Sequence, residues 1–155
     1  FNVCFYDPYL PAGADKAVGV ARAEHLEELL RAADVLSIHC PLTDETRHLI
    51  GEREITLMKP TTFVVNTARG AIIEKNALLT ALREGRLGGA GLDVVEDEPL
   101  RSAEEAATPN LIVTCHAAFC SVESKLEMRR TSARIARAAV RGDRLDNIVN
   151  GVPPG

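Results

Sequence analysis

The 155 residues contain no tryptophan, only 4% aromatics, and no Gly-x-Gly-x-x-Gly at any position. The missing glycine pattern matters most, because it excludes a dinucleotide phosphate loop of the usual form within these residues. No apolar run approaches the ~18–20 residues that cross a bilayer, and no signal peptide opens the chain, so neither a membrane nor a secreted setting is expected. The first residues, Phe1-Asn2-Val3-Cys4-Phe5-Tyr6, already read as strand and carry no initiator methionine. That start leads to the expectation of a piece of a longer protein. Cys4, Cys40, Cys115 and Cys120 show no disulfide spacing, which predicts free thiols and a cytoplasmic chain. No second Cys/His group at zinc spacing accompanies Cys115-His116 and Cys120, so no metal site is expected. The net charge of -4, with no aromatics interleaved among the basic residues, argues against direct nucleic-acid binding. Internal repeats and low-complexity tracts are absent from the sequence as well.

What is present is an alternation of strand-like and helix-like runs, with 46% hydrophobic residues to build one core. Strands are expected at residues 3–6, 18–21, 35–38, 63–65, 90–94 and 111–114. Helices are expected at 24–33, where Leu26, Leu29 and Leu30 have helical spacing, and at 74–84. In the latter Ala77, Leu78, Ala81 and Leu82 share a face and Gly85 follows as a cap. A long helix should run from Ser121 or Val122 to Arg141 and end at Gly142. It carries an apolar stripe (Val122, Leu126, Ala133, Ala136, Val140) and a basic one (Arg130, Arg134, Arg137, Arg141), the second read as a solvated face. Residues 143–155 read as an irregular tail. Near-continuous apolar strands alternating with helices imply an α/β fold with a parallel sheet covered on both faces.

Chemistry-bearing residues follow the expected strands, and in open parallel sheets ligands bind beyond the C-terminal strand ends. Asp7, after the first strand, suits the ribose hydroxyls of a dinucleotide. Its charge disfavours a 2′-phosphate, and no arginine adjoins it in the sequence, so NAD is expected over NADP; the alternative is a plain Asp-Pro turn. His39-Cys40-Pro41-Leu42-Thr43 closes the strand at 35–38, with His39 read as a packed structural histidine. Arg69, within Asn66-Thr67-Ala68-Arg69-Gly70, suits two-point binding of a carboxylate. Asp93 ends the strand containing Gly89-Ala90-Gly91, whose small residues would admit a flat ring, and its carboxylate suits a carboxamide. Glu98 and His116 are the candidate proton-transfer pair: histidine titrates near neutrality, and a carboxylate on one ring nitrogen fixes the tautomer.

Asp7-Pro8-Tyr9, Asn66-Thr67-Ala68-Arg69-Gly70, Leu92-Asp93-Val94 with Glu98-Pro99, and His116-Ala117-Ala118 together resemble the D-isomer-specific 2-hydroxyacid dehydrogenase family. Within it they are most similar to the branch of the C-terminal-binding protein corepressors. The resemblance covers essentially the whole chain. It implies a Rossmann-like, doubly wound parallel sheet that is incomplete, lacking the first strand and its glycine-rich loop. The absent strand would lie between the one ending at Asp7 and the one at 35–38, which splits the sheet. It implies that Arg69, Glu98 and His116 are catalytic, and that Asp7, Cys40, Pro41, Leu42, Thr46, Thr67, Ala68, Arg69, Asp93, His116 and Phe119 line an NAD site. It also implies a homodimer. Cys115 stands where the family usually has proline, and Phe119 where the animal corepressors have tryptophan. Residues 1–140 would then form a partial NAD-binding domain, with 141–155 returning towards a substrate domain. Two functions are expected of such a chain: hydride transfer between nicotinamide and C2 of a small 2-hydroxy or 2-keto acid, or an NAD(H)-binding, corepressor-like scaffold for other proteins.

Overall fold

A computed structural model of the chain describes residues 1–100, 102–145 and 148, and divides into two compact units, the first Phe1–His116 and the second beginning at Ala117. The first unit begins with β1 (Cys4–Phe5), α1 (Ala14–Val18) and β2 (Ala21–Arg22), the two short strands pairing in parallel. The expected strand at 18–21 is therefore corrected. Val18 ends a helix, Gly19 turns it off in the left-handed region (φ 66°), and pairing starts only at Ala21.

After α2 (Leu26–Ala32) comes a four-stranded parallel sheet. Its strands β3 (Val35–Ile38), β4 (Phe63–Asn66), β5 (Gly89–Leu92) and β6 (Leu111–Val113) lie side by side in sequence order. α3 (Glu52–Leu57), α4 (Lys75–Arg83) and α5 (Ala103–Ala106) fill the crossovers. The register is continuous, Val64 facing Leu36 on one side and Ala90 on the other. Among the described residues no ladder joins β1 to β3, so the parallel sheet is in two pieces. α3 and α5 escaped the periodicity analysis because they span only 6 and 4 residues.

One face of the larger sheet carries the core. Leu36, Ile38, Val64, Ala90 and Leu92 pack with Leu30 of α2, Ile55 of α3 and Leu78, Ala81 and Leu82 of α4 in a single buried cluster. The opposite face differs from expectation, for Val35, Phe63 and Ile112 are 58%, 53% and 70% exposed. The strands are apolar on both sides, which is the pattern of a doubly covered sheet, but α2, α3 and α4 all pack into the same core cluster.

In the second unit α6 (Val122–Arg141) begins with reciprocal caps. Ser124 N–H donates to Ser121 Oγ (3.0 Å) and Ser121 N–H to Ser124 Oγ (2.9 Å). Gly142 ends it at φ 70°, as expected. Its basic stripe is solvated, and so are Val122, Leu126 and Val140 of the apolar stripe. Of the expected terminal segment 141–155, residues 146, 147 and 149–155 lie outside the described residues. Among those described, no helix is long and apolar enough to cross a membrane.

Candidate active site

The loops that follow β4, β5 and β6 are laced together, and Asn66 is the knot. This amide is fully buried at the end of β4. Its Nδ2 donates to Arg69 O (2.9 Å), its Oδ1 accepts from Ala68 N–H (3.0 Å), and its own carbonyl accepts from Asp93 N–H (2.9 Å). The buried side chain thereby sets the Thr67–Arg69 turn, and the backbone of the same residue ties it to the end of β5. Gly70 continues the lock: a Cβ there would stand 2.0 Å from the Val95 carbonyl carbon, so only glycine lets the two loops meet. Asp93 is buried, and its carboxylate accepts from Thr114 Oγ1 beyond β6.

The pair Glu98 and His116 is in contact. Nδ1–H of His116 donates to Glu98 Oε2 (2.9 Å), while Val95 N–H holds the other carboxylate oxygen (3.2 Å). His116 adopts φ +56°, a left-handed conformation unusual for a side-chain-bearing residue, and it directs the ring back towards the β5 loop. Asp93, Glu98, Thr114, Cys115 and His116 line a cleft of about 320 Å³. Arg69 does not line it. It stands exposed on the adjoining loop, donates through Nη1 to Ala68 O (2.7 Å), and makes no ion pair among the described residues.

The other expected positions fall nearby or elsewhere. Asp7 caps its own turn, accepting from Tyr9 N–H (2.9 Å), which is the turn role weighed for it. An arginine does stand beside it, contrary to the sequence reading: Arg22 comes from β2 and donates to Asp7 O (2.8 Å), Leu10 O (3.2 Å) and Pro11 O (3.4 Å). Its guanidinium is committed to shaping the loop. Two observations join this loop to the one after β3. Tyr9 hydroxyl donates to Glu45, which raises the phenol pKa, and the Cys40 thiol is pushed up by burial and, less strongly, by the Asp7 charge. Within the β3 loop Thr46 Oγ1 donates to Pro41 O (2.7 Å) and accepts from Thr43 N–H (2.8 Å), while Leu42 packs on the core. His39 is exposed and hydrogen-bonded to Ser37 Oγ (2.8 Å), not packed as expected. Phe119 belongs to the second unit and is 53% exposed, with its carbonyl accepting from Ser124 Oγ (2.6 Å).

Asn66, Gly70 and Thr114 were missed as site-building residues. Only their positions close to Arg69 and His116 signalled them, since a buried amide and a close backbone approach leave no pattern in one sequence.

The residues fit NAD in part. An acid, Asp7, follows β1, and Asp93 borders the Glu98–His116 cleft. Over Gly91 a Cβ would meet nothing within 4 Å, so the backbone there is open, whereas Gly89 is covered by the Phe63 ring. For the pyrophosphate these 155 residues hold no glycine-rich turn.

Comparison with known proteins agrees with this geometry. Residues 1–118 match the model of the D-isomer specific 2-hydroxyacid dehydrogenase NAD binding domain. The chain is 48% identical over 137 residues to the glyoxylate reductase of Aeropyrum pernix, covering 88% of this chain and 41% of that protein. The holo form of Rhodotorula graminis D-mandelate dehydrogenase superposes with a TM-score of 0.87 at 35% identity, covering 99% of this chain and 45% of that one. Aquifex aeolicus D-lactate dehydrogenase, complexed with NAD and lactic acid, gives 0.82 at 34% identity over 92% of this chain and 47% of its own. The chain thus spans less than half the length of these relatives. It belongs to the D-isomer specific 2-hydroxyacid dehydrogenase family, whose NAD binding domain residues 1–118 match.

Proposed function

We propose that the protein containing these residues is an NAD-dependent D-2-hydroxyacid dehydrogenase, interconverting a small 2-keto acid and its D-2-hydroxy acid. The observation that carries this reading is the 2.9 Å contact between His116 Nδ1 and Glu98 Oε2 at the rim of the cleft. Bound NAD supplies or accepts the hydride at C2. Arg69 anchors the substrate carboxylate by charge-assisted hydrogen bonds, for which a guanidinium without a carboxylate partner is suited. In the reducing direction His116 gives its proton to the carbonyl oxygen as the alkoxide forms, and takes it back in the oxidising direction. Glu98 fixes the ring tautomer and offsets the imidazolium charge. Asp7 and the 40–46 loop would hold the adenosine end, Thr67–Arg69 and Asp93 the nicotinamide end.

A domain division at residue 140, a dimer and a cytoplasmic setting belong to the same proposal, on the strength of the family resemblance. The relatives named above are reductases and dehydrogenases, which favours catalysis over a corepressor-like scaffold. The test is NADH oxidation with glyoxylate, pyruvate and phenylglyoxylate, by the chain completed at its N-terminus with the matching segment of the Aeropyrum pernix reductase. Turnover of at least one supports the reading, and failure with all three in a folded, NADH-binding protein refutes it.

A further inference from the structure

We propose that His48 and Glu96 form a positioning pair that holds Glu98, and through it His116, in register with Arg69; this deepens the reading of those three residues and rests on it. Arg69, Glu98 and His116 stand on the loops after β4, β5 and β6, and His48, on the loop after β3, is bonded to the first two of these. Its N–H donates to Ala71 O (2.8 Å), just past Arg69 and Gly70, and its Nε2–H donates to Glu96 Oε1 (2.8 Å) on the β5 loop. Ile50 N–H to Ile72 O (3.1 Å) and Glu74 N–H to Ile50 O (3.0 Å) extend the first attachment, so the backbone around His48 is fixed to the Arg69 loop. Arg47 Nη1 lies 4.0 Å from the same Glu96 oxygen and adds a positive charge.

The imidazole is therefore a strut from the Arg69 loop to the loop that carries Glu98. Glu96 is followed by Asp97 at φ +59° and then by Glu98, and His48 itself sits at φ +53°. Side-chain-bearing residues keep such conformations only where surrounding contacts enforce them, and they concentrate at functional sites. Gly70 pressed against Val95 sets the distance between the loops, while the His48–Glu96 bond sets the direction in which Glu98 leaves. A hydrogen-bonded pair with side chains 42% and 25% exposed adds little to global stability, so its effect should appear at the site and not in the fold.

The test has two arms. In the 155-residue chain labelled with 15N, the His116 Nδ1 signal reports on the Glu98 contact. His48→Ala and Glu96→Ala should each move it, whereas His48→Gln, whose amide nitrogen reaches the same point, should leave it near wild type. Amide signals of α4 serve as the folding control. In the N-terminally completed enzyme, His48→Ala should lower kcat about tenfold with the keto-acid KM within about twofold, because misplaced catalytic groups cost turnover more than binding. An unmoved His116 signal in His48→Ala, or a wild-type kcat, overturns the inference. Signals that move as expected in a folded wild type that turns over no 2-keto acid uphold the strut and overturn the functional reading instead.

Discussion

Cys40 illustrates how a strand-end position alters a single side chain. Its thiol is half-buried at the end of β3, and desolvation with the Asp7 charge raises its pKa above the ordinary 9.0. The thiolate is the reactive form, so iodoacetamide at pH 8 should modify exposed Cys115 and Cys120 well before Cys40. Peptide mapping by mass spectrometry reads the order, and equal rates would contradict the placement. The folded thiol keeps its proton where the unfolded one has lost it, so this contribution to stability is present below pH 9 and declines as pH rises. At this scale the sequence was legible where chemistry dictates residue type. Asp7, Arg69, Asp93, Glu98 and His116 all stand out in the sequence by residue type at strand ends, and the structure brings Glu98 and His116 into contact. Arg22 was not found, since an arginine that wraps a loop's carbonyls has no local signature.

The elements were legible in proportion to their length. α4 and α6 fall where their apolar spacing and terminal glycines place them, whereas the boundary between α1 and β2 was obscured by Val18 and Val20 on either side of Gly19. How loops fit together was not legible at all, and Gly70 is the clearest case. Gly70→Ala would drive a methyl into the Val95 carbonyl, and overpacking of this kind costs about 1–3 kcal/mol. A urea melt should show a lowered midpoint, and NADH-dependent turnover of the completed enzyme should fall with it. A wild-type midpoint would mean that the β4 and β5 loops are not locked together. Asn66 makes the complementary point: a buried amide inside an apolar strand reads as a weak strand ending, yet it organises the Arg69 turn.

Among the described residues the parallel strands form a four-stranded piece and a two-stranded one. Apolar periodicity identified the parallel α/β architecture, but it could not say which face stays bare, because Val35, Phe63 and Ile112 look the same in sequence as their buried neighbours. The helix N-terminus and glycine turn that would neutralise a pyrophosphate are not among the 155 residues. By itself the chain should therefore bind NADH more weakly than about micromolar in isothermal titration, and a tighter constant on a monodisperse sample would contradict that reasoning. The exposed sheet face and unpaired edges also predict self-association at high concentration. The central claim is that His116, held by Glu98, exchanges the proton of the reaction, and one substitution tests it most directly. In the N-terminally completed enzyme, His116→Gln should lower kcat for keto-acid reduction by ~10²–10⁴-fold while the NADH dissociation constant stays nearly unchanged; turnover close to wild type would contradict the account.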